Sequence, residues 1–496
     1  MDELKKMAQN LSLATLKDIN PRVTVPSYKR EDLSAGIIHV GIGNFHRAHQ
    51  AWYLHKLFET GQDLDWALIG AGVKHFDQAM QQRLKPQDWL STLIELDPEG
   101  FSATIIGSMI DFVDIDPQQL IDSMAKPEIR IVSLTVTEGG YFVDANSGGF
   151  DAKQAEMIYD RRHPQAPKTV FGIIVAALLK RRAANIAPFT VMSCDNLPEN
   201  GYVTRNAVLG LTEGRADDAQ QWIAENVAFP NSMVDCITPA TGDRERAIVR
   251  EKFAIDDAAP VVCEPFHQWV LEDKFTNGRP SLEKVGVQFV EDVAPFELMK
   301  LRILNGGHAA LAYPAALLDI HYVHEAMAEP LVAGFLNKLE HEEIIPTVPK
   351  IEGVSRNQYF QKVVERFSNE AIADTIPRLC FDGSNRQPKF ILPIIEDRLA
   401  LKKTIHALAL SCALWCRYCY GESESGQVIS ANDPHWARLT TQAHLAKNDP
   451  LKWLEMKDIY GSLSSNESFK LAFSQSLNAL WADGVAATLK AYISAN

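Results

Sequence analysis

The sequence predicts an α/β fold with a parallel-rich sheet in its N-terminal part, followed by a mainly α-helical C-terminal part. Short β-rich runs alternate with helical runs up to about residue 290, a pattern typical of a parallel sheet with helices on both faces. The predicted strands are continuous apolar runs, which indicates burial on both sides of the sheet. Beyond that point the apolar segments have helical spacing. No repeat or low-complexity linker separates the two parts, and we expect domains at residues 1–287 and 288–496.

The predicted elements follow in chain order. Strands are expected at GIIHVG (36–41), WALIGAGV (66–73), RIVSLTVTEGG (130–140) and FTVMSCDN (189–196), and helices at 46–61 and 169–185. Gly61 is expected to end the first helix, because glycine is favoured just after a helix. The C-terminal helices are predicted within LMKLRILNGGHAALAYPAALL (298–318), EPLVAGFLNKLEHEEI (329–344), NQYFQKVVERFSNEAI (357–372) and RLALKKTIHALALSCALWCRYCYG (398–421).

Composition and charge narrow the class of protein. The chain has 496 residues, 46% hydrophobic and 23% charged, which is ordinary for a globular protein. Its net charge of -14 argues against nucleic acid or an anionic membrane as the main partner. No apolar run approaches membrane-spanning length, and the first residues, MDELKKMAQNLSL, lack the apolar core of a secretion signal. Seven scattered cysteines fit a reducing compartment, so we expect a cytoplasmic protein.

The first chemical motif is IIHVGIGNFHRAHQ, at the turn between the first predicted strand and helix. Gly41 and Gly43 form a Gly-x-Gly pair, which would let a pyrophosphate approach the helix N–H groups because no Cβ is in the way. The third glycine of the usual dinucleotide fingerprint is absent, and His46 stands there; the alternative is an ordinary strand-to-helix turn. An acid after the second strand would hold the adenosine ribose, and Asp77 is the candidate. Asp65 precedes that strand and should lie at the wrong end of the sheet.

Three polar residues interrupt the apolar run 298–318. On a helix, Asn305 and His308 are offset from Lys300 by about 140° and 80° at roughly 100° per residue, so all three can face one cleft. A lysine in low dielectric loses part of its proton affinity and can act as a base, and an amide can donate to a developing alkoxide. Gly306 and Gly307 cost helix stability unless something approaches the backbone closely. The alternative is a lysine that reaches solvent from the helix edge and a histidine satisfied in the core.

Two groups of cysteines and histidines invite a metal-binding interpretation. Cys412, Cys416 and Cys419 have helical spacing, but no second ligand pair follows at zinc-finger spacing, so we interpret them as small apolar residues of a core helix. His46 and His49 lie at the Gly-x-Gly turn, where local packing or contact with a pyrophosphate is the better interpretation.

Six segments together resemble one family. They are GIGNFHRAHQ (41–50), TVTEGGY (135–141), FTVMSCDNLPENG (189–201), FPNSMVDCITP (229–239), EPFHQWVLEDKFTNGRP (264–280) and KLRILNGGH (300–308). In sequence and order they are similar to the long-chain polyol-specific dehydrogenases, and the resemblance extends from about residue 22 to the C-terminus. It implies a Rossmann-type N-terminal domain that binds NAD, a helical C-terminal domain, no catalytic metal and a monomer.

The implied reaction is the oxidation of a secondary alcohol of a polyol to the ketose with NAD, and the reverse reduction. The resemblance gives Lys300 the role of general base, and Asn196 and Asn305 the role of donors to the alkoxide or carbonyl oxygen. His308 is expected to bind a neighbouring substrate hydroxyl. Glu297, one helical turn before Lys300, is expected to belong to a proton path toward solvent. Such groups suffice for hydride chemistry because the cofactor carries out the hard step.

The resemblance also implies binding residues for both substrates. Polyol contacts are expected from Asp235, Arg378 and Arg386. An acid at position 77 would favour NAD over NADP, because a carboxylate repels the phosphate of NADP. The expected cofactor-binding residues are Ile38, Gly41, Gly43, Asn44, Phe45 and Asp77.

Two departures from the family pattern fall near the expected substrate residues. Cys236 stands where the family usually has an arginine, and Arg386 stands where it often has a lysine. Both leave the reaction class unchanged and bear on which polyol is used. Fructuronate reductases tend to carry an arginine at the position of His267 and a Gln-Arg pair near Lys389-Phe390, and this chain has neither, which favours polyols over uronates.

D-Mannitol and D-fructose are therefore the expected substrate pair. The run AHQAWYLHKL (48–57) is similar to arabinitol enzymes, so D-arabinitol remains an alternative, as do sorbitol and fructuronate. An alternative from another class is a nicotinamide-binding sensor without catalysis, against which the complete Lys-Asn-His set argues.

Overall fold

The architecture is seen in a computed structural model that describes residues 8–144, 149–215 and 218–495. The first seven residues of the segment used for the secretion-signal prediction lie outside these ranges. The chain divides into two compact units, residues 1–294 and 295–496, a few residues after the predicted boundary. No helix in the described ranges combines the length and apolar character needed to cross a membrane.

The strands of the described chain all fall in the N-terminal unit. They are β1 (Gln9–Asn10), β2 (Val23–Thr24), β3 (Ala35–Val40), β4 (Ala67–Ala71), β5 (Ser91–Glu95), β6 (Ser102–Ile106), β7 (Met109–Phe112), β8 (Ile131–Leu134), β9 (Thr190–Ser193), β10 (Ser232–Asp235), β11 (Ile255–Asp256), β12 (Val261–Cys263), β13 (Gln268–Glu272) and β14 (Gln288–Val290).

A parallel sheet with the order β7-β4-β3-β8-β9 forms the centre of this unit. Ile38 of β3 lies opposite Ile69 of β4 on one side and Val132 of β8 on the other. Successive side chains of β3 belong to different cores, since Ile37 packs in one apolar cluster and Ile38 in another. Both faces of the sheet are thus covered, as the continuous apolar strands predict.

Helices cover both faces of the sheet. The longer helices of this unit are α1 (Asn44–Ala48), α2 (Gln50–Glu59), α3 (Asp77–Leu84), α4 (Pro117–Met124), α5 (Ala155–Arg162), α6 (Val170–Ala183), α7 (Asn200–Thr212), α8 (Ala219–Asn226) and α9 (Asp243–Phe253). Short 3-10 turns occur at Leu13–Asp18, Arg30–Asp32, Leu64–Trp66, Lys85–Gln87, Glu138–Tyr141 and Leu282–Val285. α2 packs its apolar side with Ile37, and α6 packs with Ile38.

The single helix predicted at 46–61 is wrong in one respect, because the structure has two helices joined at His49. The backbone of His49 leaves the helical region, with φ −120° and ψ −85°. Its Nε2 donates to the carbonyl oxygen of Gln268 at 2.9 Å, and its ring stacks on Phe45. The bond to Gln268 comes from a distant part of the sequence and stabilises the break, which local sequence pattern cannot reveal. The second helix gives way to Gly61, in the left-handed region at φ +73°, as expected.

Three smaller sheets accompany the central one and were not anticipated. Their orders are β12-β5-β6-β2, β10-β13-β14 and β1-β11. The pairs β5/β6 and β10/β13 are antiparallel. The β10-β13 pair includes Asp235, a predicted polyol contact, at the end of β10 and opposite Gln268.

The C-terminal unit is helical, as the sequence predicts. Its α-helices are α10 (Ala294–Met299), α11 (Gly306–Leu317), α12 (Val323–Ala328), α13 (Pro330–Leu339), α14 (Arg356–Phe367), α15 (Ile376–Cys380), α16 (Gly383–Phe390), α17 (Leu392–Ala400), α18 (His406–Cys419), α19 (Trp436–Ala446), α20 (Leu451–Leu454), α21 (Lys457–Tyr460), α22 (Glu467–Asp483) and α23 (Val485–Ser494). π-Helical turns occur at Lys300–Asn305 and Glu340–Ile344, and 3-10 turns at Ile345–Thr347, Glu370–Ile372 and Gly461–Ser465.

The helical run predicted over 398–421 is interrupted in the structure. α17 ends at Ala400 and α18 begins at His406, with Lys402 in the left-handed region at φ +54°. The carboxylate of Glu343 accepts the backbone N–H groups of Ala407 and Leu408 at 3.0 and 2.9 Å, which satisfies the first turn of α18. Cys412, Cys416 and Cys419 are all buried on α18, in agreement with their interpretation as core residues.

Candidate active site

The turn after β3 has the shape that the Gly-x-Gly pair predicts. Gly41 has φ +100°, and a Cβ there would lie 2.1 Å from the carbonyl oxygen of Thr135, so only glycine fits. Gly43 precedes the first helical residue of α1, and a Cβ there would meet no atom within 4 Å. The space in front of this helix start is therefore open, which suits the close approach of a pyrophosphate. The residues of this turn fit a dinucleotide.

His46 replaces the third glycine by packing against the strand. Its ring is 1% exposed and stacks on His39, with 3.5 Å between ring centroids. His39 in turn is held by the hydroxyls of Ser133 at 2.7 Å and Thr135 at 2.8 Å. Burial lowers the pKa of His39 to about 3 and that of His46 well below its ordinary value, so both rings are neutral at neutral pH. His46 therefore serves helix–strand packing, as does the buried His49.

The other residues expected at the cofactor turn occupy distinct positions. Asn44 donates its amide to the carbonyl oxygen of Pro239 at 3.3 Å and to Thr241 at 3.2 Å, which ties the turn to the segment after β10. Phe45 is next to it on α1. Ile38 is fully buried inside β3, so its side chain packs the sheet.

Asp77 lies beyond the carboxyl end of β4, as expected for an acid that contacts the adenosine ribose. Its Oδ2 accepts the backbone N–H groups of Val73 at 2.8 Å and Lys74 at 2.9 Å. These bonds fix the loop between β4 and α3 and hold the carboxylate at this edge of the sheet. Asp65 precedes β4 and forms an ion pair with Arg130 at 2.9 Å, at the opposite end of the strand.

The loop that carries Asn196 follows β9 and is anchored by its neighbours. The carboxylate of Asp195 accepts the backbone N–H groups of Val136 at 2.8 Å and Thr137 at 3.0 Å, and also the hydroxyl of Tyr141. The loops after β8 and β9 are therefore joined directly beside Asn196. The sequence contained these residues in TVTEGGY and FTVMSCDN but gave no sign that Asp195 joins them.

Asn200 fixes the same loop to β10. Its Nδ2 donates to the carbonyl oxygens of Asp195 at 3.0 Å and Ser232 at 2.8 Å, and its Oδ1 accepts the N–H of Ser232 at 2.9 Å. β10 ends at Asp235, which is 5% exposed. The loop with Asn196 and the strand with Asp235 are thus parts of one hydrogen-bonded structure, and Asn200 is a positioning residue that the sequence pattern did not reveal.

In the C-terminal unit, a π-helical turn arranges the Lys-Asn-His set. In a π-helix the hydrogen bonds join residues five apart, so such residues lie one above the other, and Lys300 and Asn305 have this spacing. His308 follows three residues later in regular α-helix, where residues three apart are neighbours. The three therefore share one helical face, more closely than the 140° offset of a straight α-helix allows. Lys300 and His308 are 7% and 6% exposed.

His308 lies in a strongly positive environment. Its ring stacks on Phe367 with 4.0 Å between centroids. Burial, assisted by the guanidinium groups of Arg378, Arg386 and Arg366, lowers its pKa well below the ordinary value. The imidazole is therefore neutral at neutral pH, and its Nε2 has no hydrogen-bond partner among the described residues. A neutral ring with an available nitrogen can hydrogen-bond a sugar hydroxyl.

The two arginines expected at the polyol are held in different ways. Arg378 forms a two-pronged ion pair with Asp374, and the hydrogen bonds that its guanidinium donates to that carboxylate raise the pKa of the guanidinium. Arg386 donates to the carbonyl oxygen of Leu379 at 2.7 Å, and burial lowers its pKa. Both side chains are thus fixed in position, and their charges contribute to the field at His308.

A buried acid beside α11, the helix that carries His308, was missed by sequence reasoning. A Cβ on Gly307 would lie 3.1 Å from Oε1 of Glu340, so this carboxyl group approaches the second glycine of the pair closely, whereas a Cβ on Gly306 would lie 3.5 Å from the carbonyl oxygen of Phe390. Glu340 is fully buried, neither oxygen has a partner within the described ranges, and burial raises its pKa well above the ordinary value. The segment KLEHEEI resembles a solvated helix end, so no sequence signal marks this one acid as buried. Glu297, the predicted proton-path residue, lies on α10 before the π turn.

The two units together define a class of protein. The Rossmann-type unit with an open Gly-x-Gly turn fits a dinucleotide, and the lysine, amide and imidazole on one face of the helical unit can supply a base and hydrogen-bonding groups. Both features fit a nicotinamide-dependent oxidoreductase. The family described as Mannitol dehydrogenase Rossmann domain matches residues 35–284, and the Mannitol dehydrogenase C-terminal domain matches residues 292–481. The chain belongs to the mannitol dehydrogenase family.

Individual relatives agree with this assignment. A mannitol 2-dehydrogenase from Cereibacter sphaeroides is 54% identical over 475 residues, which cover 95% of this chain and 99% of that protein. The structure of Pseudomonas fluorescens mannitol 2-dehydrogenase, a ternary complex with NAD and D-mannitol, has a TM-score of 0.86 and 42% identity and covers 98% of this chain and 100% of its own. The structure of a substrate-free D-sorbitol dehydrogenase has a TM-score of 0.89 and 33% identity, and the match covers 97% of this chain and 100% of that one. The family resemblance seen in the sequence is confirmed.

Proposed function

We propose that this protein is an NAD-dependent polyol dehydrogenase that interconverts D-mannitol and D-fructose. The observation that carries the proposal is the π-helical turn that puts Lys300 and Asn305 on one face with His308. A mannitol 2-dehydrogenase complex with NAD and D-mannitol among its structural relatives supports the choice of substrate and cofactor. The substrate-free D-sorbitol dehydrogenase keeps sorbitol as the second candidate.

Lys300 is the proposed general base. In the oxidation it takes the proton of the hydroxyl on the reacting carbon, and in the reduction its ammonium form returns a proton to the carbonyl oxygen. Bound NAD supplies the hydride acceptor. Asn305 and Asn196 donate hydrogen bonds to the oxygen that becomes negative as its proton leaves. Glu297 is proposed to pass the proton from Lys300 toward solvent.

The remaining residues bind and orient. Neutral His308 can exchange a hydrogen bond with a hydroxyl next to the reacting carbon, and Asp235, Arg378 and Arg386 are the proposed contacts for the rest of the polyol. Because Arg378 and Arg386 are held by Asp374 and a backbone carbonyl, they offer fixed donors.

The cofactor residues are proposed on the same basis. Gly41 and Gly43 leave room for the pyrophosphate, Asn44 and Phe45 form the start of the helix beneath it, and the carboxylate of Asp77 meets the adenosine ribose. A fixed negative charge there favours NAD over NADP. We also propose that the enzyme works as a cytoplasmic monomer without a catalytic metal; sedimentation and turnover after chelator treatment test the last two points.

A substrate panel tests the function directly. Oxidation of D-mannitol, D-sorbitol and D-arabinitol, and reduction of D-fructose and D-fructuronate, are followed by NADH absorbance. We expect D-mannitol to have the highest kcat/KM among the polyols and D-fructose among the ketoses. Since mannitol and sorbitol both give fructose when oxidised at C2, chromatography of the reduction product separates them. Sorbitol as that product, or fructuronate as the best ketose, would overturn the proposal, and NADH binding without turnover would indicate a sensor.

A further inference from the structure

Cys236, Cys263 and His267 come together in the N-terminal unit, at the edge of the β10-β13-β14 sheet. One potential ligand atom from each residue lies within 4.8 Å of the other two. Nothing in the proposed reaction uses these groups. We propose that they form a binding site for a thiophilic cation of the Zn²⁺ class, with two thiolates and one imidazole as ligands.

The sheet explains why these residues meet. β10 and β13 are antiparallel with Asp235 opposite Gln268, so the next residues outward, Cys236 and His267, face each other. Cys263 ends β12, and the N–H of Glu264 donates to the carbonyl oxygen of Ile237 at 3.0 Å. That bond draws the end of β12 beside Cys236. The three ligands therefore sit on strand ends held by backbone hydrogen bonds, which gives a site little freedom to spread apart.

The distances are close to those of a tetrahedral zinc site. With Zn–S near 2.3 Å and Zn–N near 2.0–2.1 Å, neighbouring ligand atoms are separated by roughly 3.6–3.8 Å. The Sγ of Cys263 is 3.8 Å from Nε2 of His267, and the Sγ of Cys236 lies no more than 4.8 Å from the Sγ of Cys263 and from one ring nitrogen of His267. The three ligand atoms therefore need to approach one another by only about 1 Å to reach these separations.

The imidazole of His267 is oriented for such a role. Its ring stacks on Trp52 with 3.9 Å between centroids and an interplanar angle of 6°. Nδ1 lies 3.2 Å from the carbonyl oxygen of Pro265, to which it can donate, and this second bond is the one that fixes the tautomer of metal-bound histidines. Nε2 is then the ligand atom, and its 3.0 Å contact with the carbonyl oxygen of Ala48 must open when the ion binds.

The charge of the ligand set and the solvent access of the site are also suitable for a divalent cation. Two thiolates balance the charge of a divalent cation, so the complex is neutral and its burial avoids the penalty of an isolated ion. Cys263 is fully buried and Cys236 is 7% exposed, whereas His267 is only partly buried. The imidazole side therefore provides the way in, and a water molecule can complete the tetrahedron there. Binding must release the two thiol protons to solvent, so affinity rises with pH.

Metal titration of the reduced, chelator-treated full-length protein tests the proposal. Under anaerobic conditions we expect one Co²⁺ per chain, with the intense visible bands of a tetrahedral site and a near-ultraviolet thiolate charge-transfer band. Zn²⁺ should displace it with a Kd below about 1 µM, a limit set weaker than the affinity of zinc-finger sites because only three protein ligands are present. Cys236→Ser and Cys263→Ser should each weaken binding by more than about 100-fold, since loss of an outer-shell partner alone costs 10–100-fold. Cys412→Ala, a buried thiol of the helical unit, is the matched control and should bind as the parent does.

X-ray absorption of the zinc-loaded parent protein keeps the test independent of variant folding. It should report two sulfur neighbours at about 2.3 Å and nitrogen or oxygen neighbours at about 2.0–2.1 Å. A first shell without sulfur, a weaker Kd than that stated, or equal loss of binding in Cys412→Ala would overturn the proposal.

Discussion

Replacement of Glu340 by glutamine should stabilise the helical unit relative to the parent protein, by an amount that grows as the pH rises. Glu340 is fully buried beside Gly307 with no hydrogen-bond partner for either oxygen in the described ranges, and burial raises its pKa well above the ordinary value of 4.5. Between pH 4.5 and the raised pKa, the folded state binds one proton that the unfolded state has released. The sign is therefore fixed: this group makes the protein less stable as the pH increases through that window.

The size of the effect follows from proton linkage. One proton of difference changes the free energy of unfolding by about 1.4 kcal/mol per pH unit. Glu340→Gln preserves the shape of the side chain and removes the proton, so the variant should gain about that much relative to the parent with each pH unit, up to the raised pKa. For a unit of about 200 residues this corresponds to roughly 3–5 °C in Tm per pH unit.

Calorimetry of parent and variant between about pH 5 and pH 8 measures the difference. Titrations of other groups cancel because they are common to both proteins. Glu342→Gln is the matched control, since Glu342 belongs to the same π-helical turn but its side chain is 55% exposed. A Tm difference between parent and Glu340→Gln that stays constant with pH would refute the reasoning, because it would mean that Glu340 titrates alike in both states.

The other predictions concern the proposed chemistry. Lys300→Ala should lower turnover by about 10²–10⁴-fold while NADH binding by fluorescence is retained; turnover above about a tenth of the parent would exclude Lys300 as the base. Asp77→Asn keeps an oxygen for the N–H groups of Val73 and Lys74 but loses the charge, so the NADP/NAD ratio of kcat/KM should rise, and an unchanged ratio would remove Asp77 from the cofactor site. Asn196→Ala and Asn305→Ala should each slow hydride transfer, measured by transient kinetics, by about 10²–10³-fold with little effect on substrate binding. If both amides act on one oxygen, the rate loss of the double variant should be smaller than the product of the two single losses. A double variant whose loss equals that product would contradict a shared oxygen.

Features that depend on neighbouring residues in sequence were the ones that could be predicted. The apolar strands and the required absence of a Cβ at Gly41 are local properties, and the structure agrees with both. The family motifs also allowed the order of the two domains to be predicted. The prediction of one helix at 46–61 was wrong at His49 because the break there is stabilised by Gln268, more than 200 residues away.

The sequence predicted the arrangement of side chains around Lys300 only in outline. An apolar helix with polar residues five and eight apart indicates one functional face, but α- and π-helical turns have nearly the same composition, so the closer alignment could not be read. The glycine pair indicated a close approach to the backbone, yet the group that approaches Gly307 is Glu340, from a segment rich in charged residues. Whether such an acid is buried depends on tertiary packing, which no pattern within KLEHEEI encodes.

The hydrogen bonds of Asn200 have a consequence for motion in the N-terminal unit. One amide side chain connects the loop after β9 with the start of β10, through Asp195 and both backbone groups of Ser232. Neither segment can swing away without breaking a buried amide's full set of partners, which is costly in low dielectric. Asn196 directly follows Asp195, and Asp235 ends the strand that contains Ser232, so we expect these two proposed site residues to keep their spacing during any motion of the N-terminal unit.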